Sequence, residues 1–279
     1  KVPSNFAVEG TGILTLSDSR STQGNITVET GATFNTNGNL TILSTSTGTG
    51  SLLVNGTLTG DVTIERYING ASDAWHLISS PVGEQEISGN FIDVNGFDFY
   101  MYNEPLNKWV NRQNTQASPE GDPPRFDDSE VNNGNGDLNF TPGRGYNVAY
   151  TDQNTNKKSF TGSINQGTIE VAVTNNGVTE YAGSNLLGNP YPSSIDWKET
   201  TGWTRSMLRD DDESENVGYT MYIWSEAAGN YGTFISNGSS GTNGVTQYIP
   251  PMQGFFVVAA SNGTFQMTED LCTSTGSDN

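Results

Sequence analysis

Cysteine, histidine and basic side chains are scarce in this chain, and each scarcity removes a class of chemistry. A single cysteine, Cys272, among 279 residues forbids an internal disulfide and a thiolate metal cluster. A single histidine, His76, gives a Ser-His-acid triad one place to form, and nothing near Trp75-His76-Leu77-Ile78 resembles a nucleophile elbow. Zinc hydrolysis fails by the same count, because it needs several His or Cys ligands. Lys and Arg number 12 against 31 Asp and Glu, a net charge of −19, which opposes long-range attraction to phosphate backbones or anionic lipid. Nucleic acid is therefore not an expected partner. No run of 18 apolar residues occurs, so no membrane insertion is expected. A glycine-rich phosphate loop leading into a helix is also missing, and no segment holds a helical period.

What is present reads as β-rich and turn-rich. The chain has 33 Gly and 11 Pro with abundant Thr, Ser and Asn, while charged residues reach only 15 %. Twelve Phe, eleven Tyr and five Trp supply core volume suited to a pleated, half-buried surface. The length suffices for one large β domain or two ordinary ones without a metal or disulfide staple. The chain opens at Lys1 with no Met and no signal peptide, so a mature protein or an excised piece of one is expected.

Four short alternating strands, each introduced by glycine, stand near the start: Gly12-Ile13-Leu14-Thr15-Leu16, Gly24-Asn25-Ile26-Thr27-Val28, Gly38-Asn39-Leu40-Thr41-Ile42 and Gly60-Asp61-Val62-Thr63-Ile64. Their starts are separated by 12, 14 and 22 residues. Strands this short cannot close a core alone but can stack as the rungs of a β-solenoid. A meander of hairpins is the competing reading.

Beyond Tyr67 a second regularity appears at long range. Leu77-Ile78-Ser79-Ser80-Pro81 is echoed by Leu186-Leu187-Gly188-Asn189-Pro190, and Pro142-Gly143-Arg144-Gly145-Tyr146 by Pro251-Met252-Gln253-Gly254-Phe255, both at an offset of 109. Tyr100-Met101-Tyr102-Asn103-Glu104 through Trp109 is echoed by Tyr222-Ile223-Trp224-Ser225-Glu226 through Tyr231 at an offset of 122. An acidic insertion near residues 209–217 and a compensating one near 117–133 account for the difference. This is an internal duplication of a short-strand, antiparallel unit. Pro81 and Pro190 are expected to end a buried strand, and Gly145 and Gly254 to sit where the backbone turns tightly. The expected architecture is all-β: a strand-repeat segment over 1–67, β-sandwich-type units over 68–174 and 175–270, and the start of a linker at 271–279.

The order Gly60-Asp61-Val62-Thr63-Ile64-Glu65-Arg66-Tyr67-Ile68, then Trp75-His76-Leu77-Ile78-Ser79-Ser80-Pro81-Val82, then Gly188-Asn189-Pro190-Tyr191-Pro192-Ser193, resembles large secreted proteins of Bacteroidota. The resemblance spans about Gly24 to Met267. It implies export of a parent protein by the type IX secretion system and a place outside the cell or on its outer surface. It implies an address rather than a reaction, because such modules accompany adhesins and polysaccharide-degrading enzymes alike.

Two binding chemistries fit the residues. Trp109, Trp203, Trp224 and Tyr231 lie in or beside variable loops and could stack on sugar rings; core packing is the plainer reading for any one of them. Calcium, which takes several oxygen ligands from loops, has candidate ligands in Asp93, Asn95 and Asp98, in Asn133, Asn135 and Asp137, and in the acidic run 210–213 with Glu215. None of these matches a full EF-hand loop, and solvated turns are the plainer reading. Glycoside hydrolysis needs only two carboxylates. Glu104 and Glu226 are the most interesting acids, yet their equivalence in the two copies argues for a turn role. The expectation is a non-catalytic extracellular module that serves as scaffold or adhesion region, with a polysaccharide, a cell-surface component and the rest of the parent protein as partners. A carbohydrate-binding accessory, or a glycosidase or lyase in its own right, is the alternative.

Overall fold

The computed structural model describes residues 5–68, 74–87, 91, 99–111, 139–150, 157–178, 180–212 and 216–275, and these are built from strands. Nine of the first eleven form a three-sided parallel solenoid. Its first rung is β1 (Asn5–Val8), β2 (Ile13–Thr15) and β3 (Arg20–Thr22); its second is β4 (Asn25–Val28), β5 (Thr33–Asn35) and β6 (Leu40–Ile42). A small hairpin of β7 (Ser44–Thr45) and β8 (Gly48–Thr49) then leaves the stack. The third rung is β9 (Ser51–Val54), β10 (Thr57–Thr59) and β11 (Val62–Tyr67). Each face is a parallel three-strand ladder, β1-β4-β9, β2-β5-β10 and β3-β6-β11.

Parallel stacking places like residues over like. Phe6, Ile26 and Leu52 form one column, Val8, Val28 and Val54 a second, Leu14, Phe34 and Leu58 a third. Burial deepens inward from the first rung: Leu14 is 40 % exposed, whereas Phe34 is fully buried. A side chain of that kind contributes about 1.5–3 kcal/mol by leaving water.

The stack is the solenoid reading rather than the meander, but the repeat differs from the visible glycine spacing. Asn5 pairs with Asn25, Ile13 with Thr33 and Arg20 with Leu40, twenty residues on in each case. The four glycine-led strands fall on three different faces, so 12 and 14 count from one face to another, and only 22, from Gly38 to Gly60, spans a rung. Glycine is needed at corners on every side. At Gly60 φ is +80° and a Cβ would stand 2.8 Å from the Asn37 nitrogen.

The duplicated units follow. In the first, β12 (His76–Ile78), β13 (Phe99–Asn103), β14 (Lys108–Asn111) and β15 (Tyr146–Val148) form an antiparallel sheet in the order β12-β15-β13-β14. The next strand, β16 (Lys157–Gly162), pairs antiparallel with β11 over its whole length. Thus β11 is both the last strand of the solenoid and an edge of the first unit. Solenoid and first unit share one hydrophobic core, which includes the ring cluster of Phe91, Phe99, Phe140, Tyr146 and Phe160.

The second unit contains β17 (Ile169–Val173), β18 (Ser184–Gly188), β19 (Ser194–Asp196), β20 (Trp203–Thr204), β21 (Thr220–Ser225), β22 (Asn230–Ile235), β23 (Tyr248–Ile249), β24 (Gly254–Val258), β25 (Gly263–Met267) and, after a 3-10 turn at Glu269–Leu271, β26 (Cys272–Thr273). Its four-stranded sheet, β18-β24-β21-β22, repeats the order of the first, and β17 pairs with β25 as β11 does with β16. The registers coincide as well. Ile78 faces Tyr146 as Leu187 faces Phe255, at the offset of 109. Tyr102 faces Trp109 as Trp224 faces Tyr231, at the offset of 122. A separate core around Trp197, Phe255 and Phe265 fills this unit.

The two units meet across a pseudo-twofold axis. A β-bridge joins Ile78 to Gln253, and its mate joins Leu187 to Arg144. The Ser79 N–H donates to the Met252 carbonyl at 3.0 Å, and the Gly188 N–H to the Gly143 carbonyl at 2.8 Å. Exchanging the copies at an offset of 109 turns each contact into the other, the reciprocity of an isologous dimer within one chain.

The tight turns lie two residues earlier than expected. Left-handed φ belongs to Gly143 (+80°) and Met252 (+59°), each following a proline, whereas Gly145 and Gly254 have ordinary backbone angles. Their need for glycine is proximity. A Cβ at Gly145 would lie 2.3 Å from the Leu187 carbonyl oxygen, and one at Gly254 would lie 2.9 Å from the Leu77 Cβ. These two glycines let the sheets cross.

Candidate functional site

The three parts of the molecule leave a cleft of about 720 Å³ where they join. One wall is the β7–β8 hairpin of the solenoid, the floor is the end of β11 with β12, and the far wall is the tip of the β21–β22 hairpin with residues 243–250. The hairpin strands and the floor are held by regular pairing, while residues 243–246 are a turn tied to the β22 strand by the Asn243 side chain and the Thr242 main chain.

Arg66 occupies the floor. Along β11 the side chains alternate, with Val62 and Ile64 buried, and Arg66 takes the next position on that same face. Its Nη2 donates to Gln253 Oε1 at 3.0 Å and its Nη1 to the Pro251 carbonyl at 3.4 Å. Gln253 is fixed in turn, its Nε2 donating to the Leu77 carbonyl at 3.0 Å and to the Gly254 carbonyl at 2.9 Å. Burial lowers the Arg66 pKa to about 10, so the guanidinium stays charged at neutral pH.

His76 and Glu226 meet beside it, Nε2 to Oε2, at 3.8 Å. That separation exceeds a direct hydrogen bond. Burial lowers the His76 pKa, opposed by the Glu226 carboxylate and assisted by the Arg66 charge, so the imidazole is mainly neutral at pH 7. Trp224, from β21, joins the far wall, and Thr45, Thr47 and Asn243 add hydroxyl and amide groups. Glu226 is the one carboxylate among the described residues lining the cleft.

Glu104 and Glu226, the equivalent acids, close their own turns through the main chain, where the Asn107 and Gly229 N–H groups donate to their carbonyls at 2.9 and 3.0 Å, while their carboxylates reach across the pseudo-twofold. Glu104 is buried, and its Oε1 accepts from the Asn176 and Gly183 N–H groups, both at 2.8 Å, on the loop between β17 and β18. Its second oxygen has no hydrogen-bond partner among the described residues. Glu226 reaches the other way, to His76 of the first unit.

Of the four aromatic candidates for sugar contact, three come together. Trp109 packs on Tyr102 at 5.3 Å and Trp224 on Tyr231 at 5.2 Å, the same cross-strand pair in each copy. Phe256 touches Tyr102, Trp109 and Tyr231 and joins the pairs into one ladder. Trp109, at 36 % exposure, is the exposed member of the ladder, and the others are half-buried. Trp203 lies elsewhere. It packs on Trp197 at 4.9 Å and Phe265 at 5.6 Å, and its Nε1 donates to the Asp196 carbonyl.

The calcium candidates Asp93, Asn95, Asp98, Asn133, Asn135 and Asp137 lie outside the described residues, as do Glu213 and Glu215. In the remaining acidic run, Asp211 pairs with Arg209 at 2.6 Å, Asp210 accepts from the Asp212 and Gly218 N–H groups, and Asp212 bonds Asn237. Among the described residues no group of three or more His, Cys, Asp or Glu side chains converges as metal ligands would.

Sequence reasoning missed Arg66, Gln253 and the β7–β8 hairpin. One signal for Arg66 was legible: a cation at an inward position of an otherwise alternating strand. The cleft itself had none, because its walls are drawn from segments up to about two hundred residues apart.

A family model described as "Domain of unknown function (DUF8693)" matches residues 2–271, and the chain belongs to that family. No curated protein and no solved structure matches it.

Proposed function

We propose that this DUF8693 domain is a non-catalytic extracellular module that holds a saccharide of a polysaccharide or cell-surface glycan in the cleft, with the solenoid as its rigid support. The observation that carries this reading is the placement of Trp224 beside fixed amide, hydroxyl and guanidinium groups in a cavity of about 720 Å³. An aromatic face supplies apolar contact to a sugar ring, and the polar groups orient its hydroxyls. The outer-surface address rests on the resemblance to secreted Bacteroidota proteins and on the composition. A glycosidase reading is weaker, since hydrolysis by the usual routes takes two carboxylates flanking one bond, and Glu226 has no second acid opposite it among the described lining residues.

The test is binding of the purified domain to a panel of immobilised polysaccharides, with released reducing ends assayed in parallel. Retention on at least one polysaccharide without turnover is expected, and Trp224→Ala should weaken it about tenfold, matching the loss of one aromatic stacking contact. Released reducing sugar would overturn the non-catalytic part, and no retention on any polysaccharide would overturn the saccharide part.

A further inference from the structure

The geometry points to an acidic sugar, one carrying a carboxylate or sulfate oxyanion, as the ligand of the cleft, with Arg66 as the group that selects it. This rests on the saccharide reading above and narrows it. Arg66 is a cation at an inward strand position whose two hydrogen-bond acceptors, the Pro251 carbonyl and the Gln253 amide oxygen, are both neutral. Among the described residues no Asp or Glu forms an ion pair with it. Its strand partner across β16 is a second cation, Lys158, which sits over the Tyr150 ring at 3.7 Å.

A charge taken out of water is costly unless a counter-charge meets it. The guanidinium presents five N–H groups in a planar fork, and two of its nitrogens are each engaged by one neutral acceptor. Donors therefore remain for an oxygen pair arriving from the cleft. Carboxylate and sulfate both match that fork with two parallel, charge-assisted bonds, and a sugar hydroxyl does not.

Glu226 is the obvious internal counter-charge, and its contact is with His76 instead. The net charge of −19 opposes a polyanion at long range. Distant charges are screened beyond about 8 Å at physiological ionic strength, so a short oligosaccharide senses the charges that line the cleft, Arg66 on the floor and Glu226 on the rim. Trp224 then covers the sugar face while Arg66 holds the acid, which gives a two-point site.

The experiment is calorimetric titration of the whole domain with short uronate oligosaccharides, sulfated oligosaccharides and neutral ones of the same length. Acidic ligands are expected to bind at least about tenfold tighter than the neutral set, and the uronate and sulfate arms identify the oxyanion's source. Arg66→Gln should abolish that preference, whereas Trp224→Ala should weaken acidic and neutral ligands together. Arg66→Lys keeps the charge without the fork and should retain a reduced preference, so it replaces Arg66→Gln if the latter fails to fold by circular dichroism. Neutral oligosaccharides binding as tightly as acidic ones would overturn this inference and leave the saccharide reading standing. Absence of binding by all three sets would overturn both.

Discussion

Glu104 and Glu226 stand at the same place in the two copies, at the tips of the β13–β14 and β21–β22 hairpins, and each reaches over the pseudo-twofold axis. Glu104 ends in a closed corner, where two backbone N–H groups of the opposite copy hold it. Glu226 ends in an open one, opposite His76 on the rim of the cleft. The residue equivalent to His76 in the closed corner is Asn185, whose side chain bonds the main chain of Thr174 and Gly183 and so staples the loop over Glu104. Duplication thus supplied two equivalent corners, one that holds the copies together and one that opens on the cleft. The solenoid makes the difference, because its β7–β8 hairpin walls only the second corner.

The crossing of the sheets offers the largest test of that comparison. An added Cβ at Gly145 would stand 2.3 Å from a backbone oxygen, whereas one at Gly254 would meet the Leu77 Cβ, fixed to its own backbone, at the longer distance of 2.9 Å. Gly145→Ala should therefore cost about 3 kcal/mol or more, and Gly254→Ala about 1–2 kcal/mol, read from denaturant midpoints. Equal losses would mean that the crossing is more symmetric than its contacts.

The two glutamates come next. Glu104→Ala leaves two N–H groups unpaired in a buried corner and should cost about 2–3 kcal/mol. Glu226→Ala, on a partly exposed pair with a mainly neutral histidine, should stay within about 0.5 kcal/mol. A loss at Glu226 as large as that at Glu104 would make both corners structural latches.

The smallest effect is the pH dependence of the open corner. Burial lowers the His76 pKa below its ordinary 6.5 in the folded protein, so the unfolded chain takes up the proton first. Stability should fall as pH drops through 6.5 and level off below the folded pKa, and the slope there should be shallower in His76→Gln. Thermal melts between pH 7.5 and about 5 would check it. An unchanged slope would show that Glu226 offsets the burial in full.

Much of the fold was legible before the coordinates. The glycine-led strands favoured stacked rungs over a meander, and the offsets of 109 and 122 reproduce the strand pairing residue for residue, as Ile78 with Tyr146 and Leu187 with Phe255 demonstrate. The rung length was hidden, since glycines sit at corners between different pairs of faces and their spacing mixes steps between faces with steps between rungs. The shared strand β11 was hidden too, because one alternation of Val62, Ile64 and Arg66 satisfies both the solenoid and the first unit. Among the aromatic candidates, spacing alone could not separate Trp224, on a cleft wall, from Trp203, packed on Trp197.

By itself the sequence determined the β class, the stacking segment and the duplication, because alternation, corner glycines and repeated motifs are properties of neighbours along the chain. Only the tertiary structure decided that one hairpin glutamate closes a corner while its twin faces a cleft, and that a strand arginine becomes that cleft's floor. Those outcomes depend on which distant segment packs opposite each residue, and burial and charge pairing are set there rather than by the residue's own neighbours in sequence.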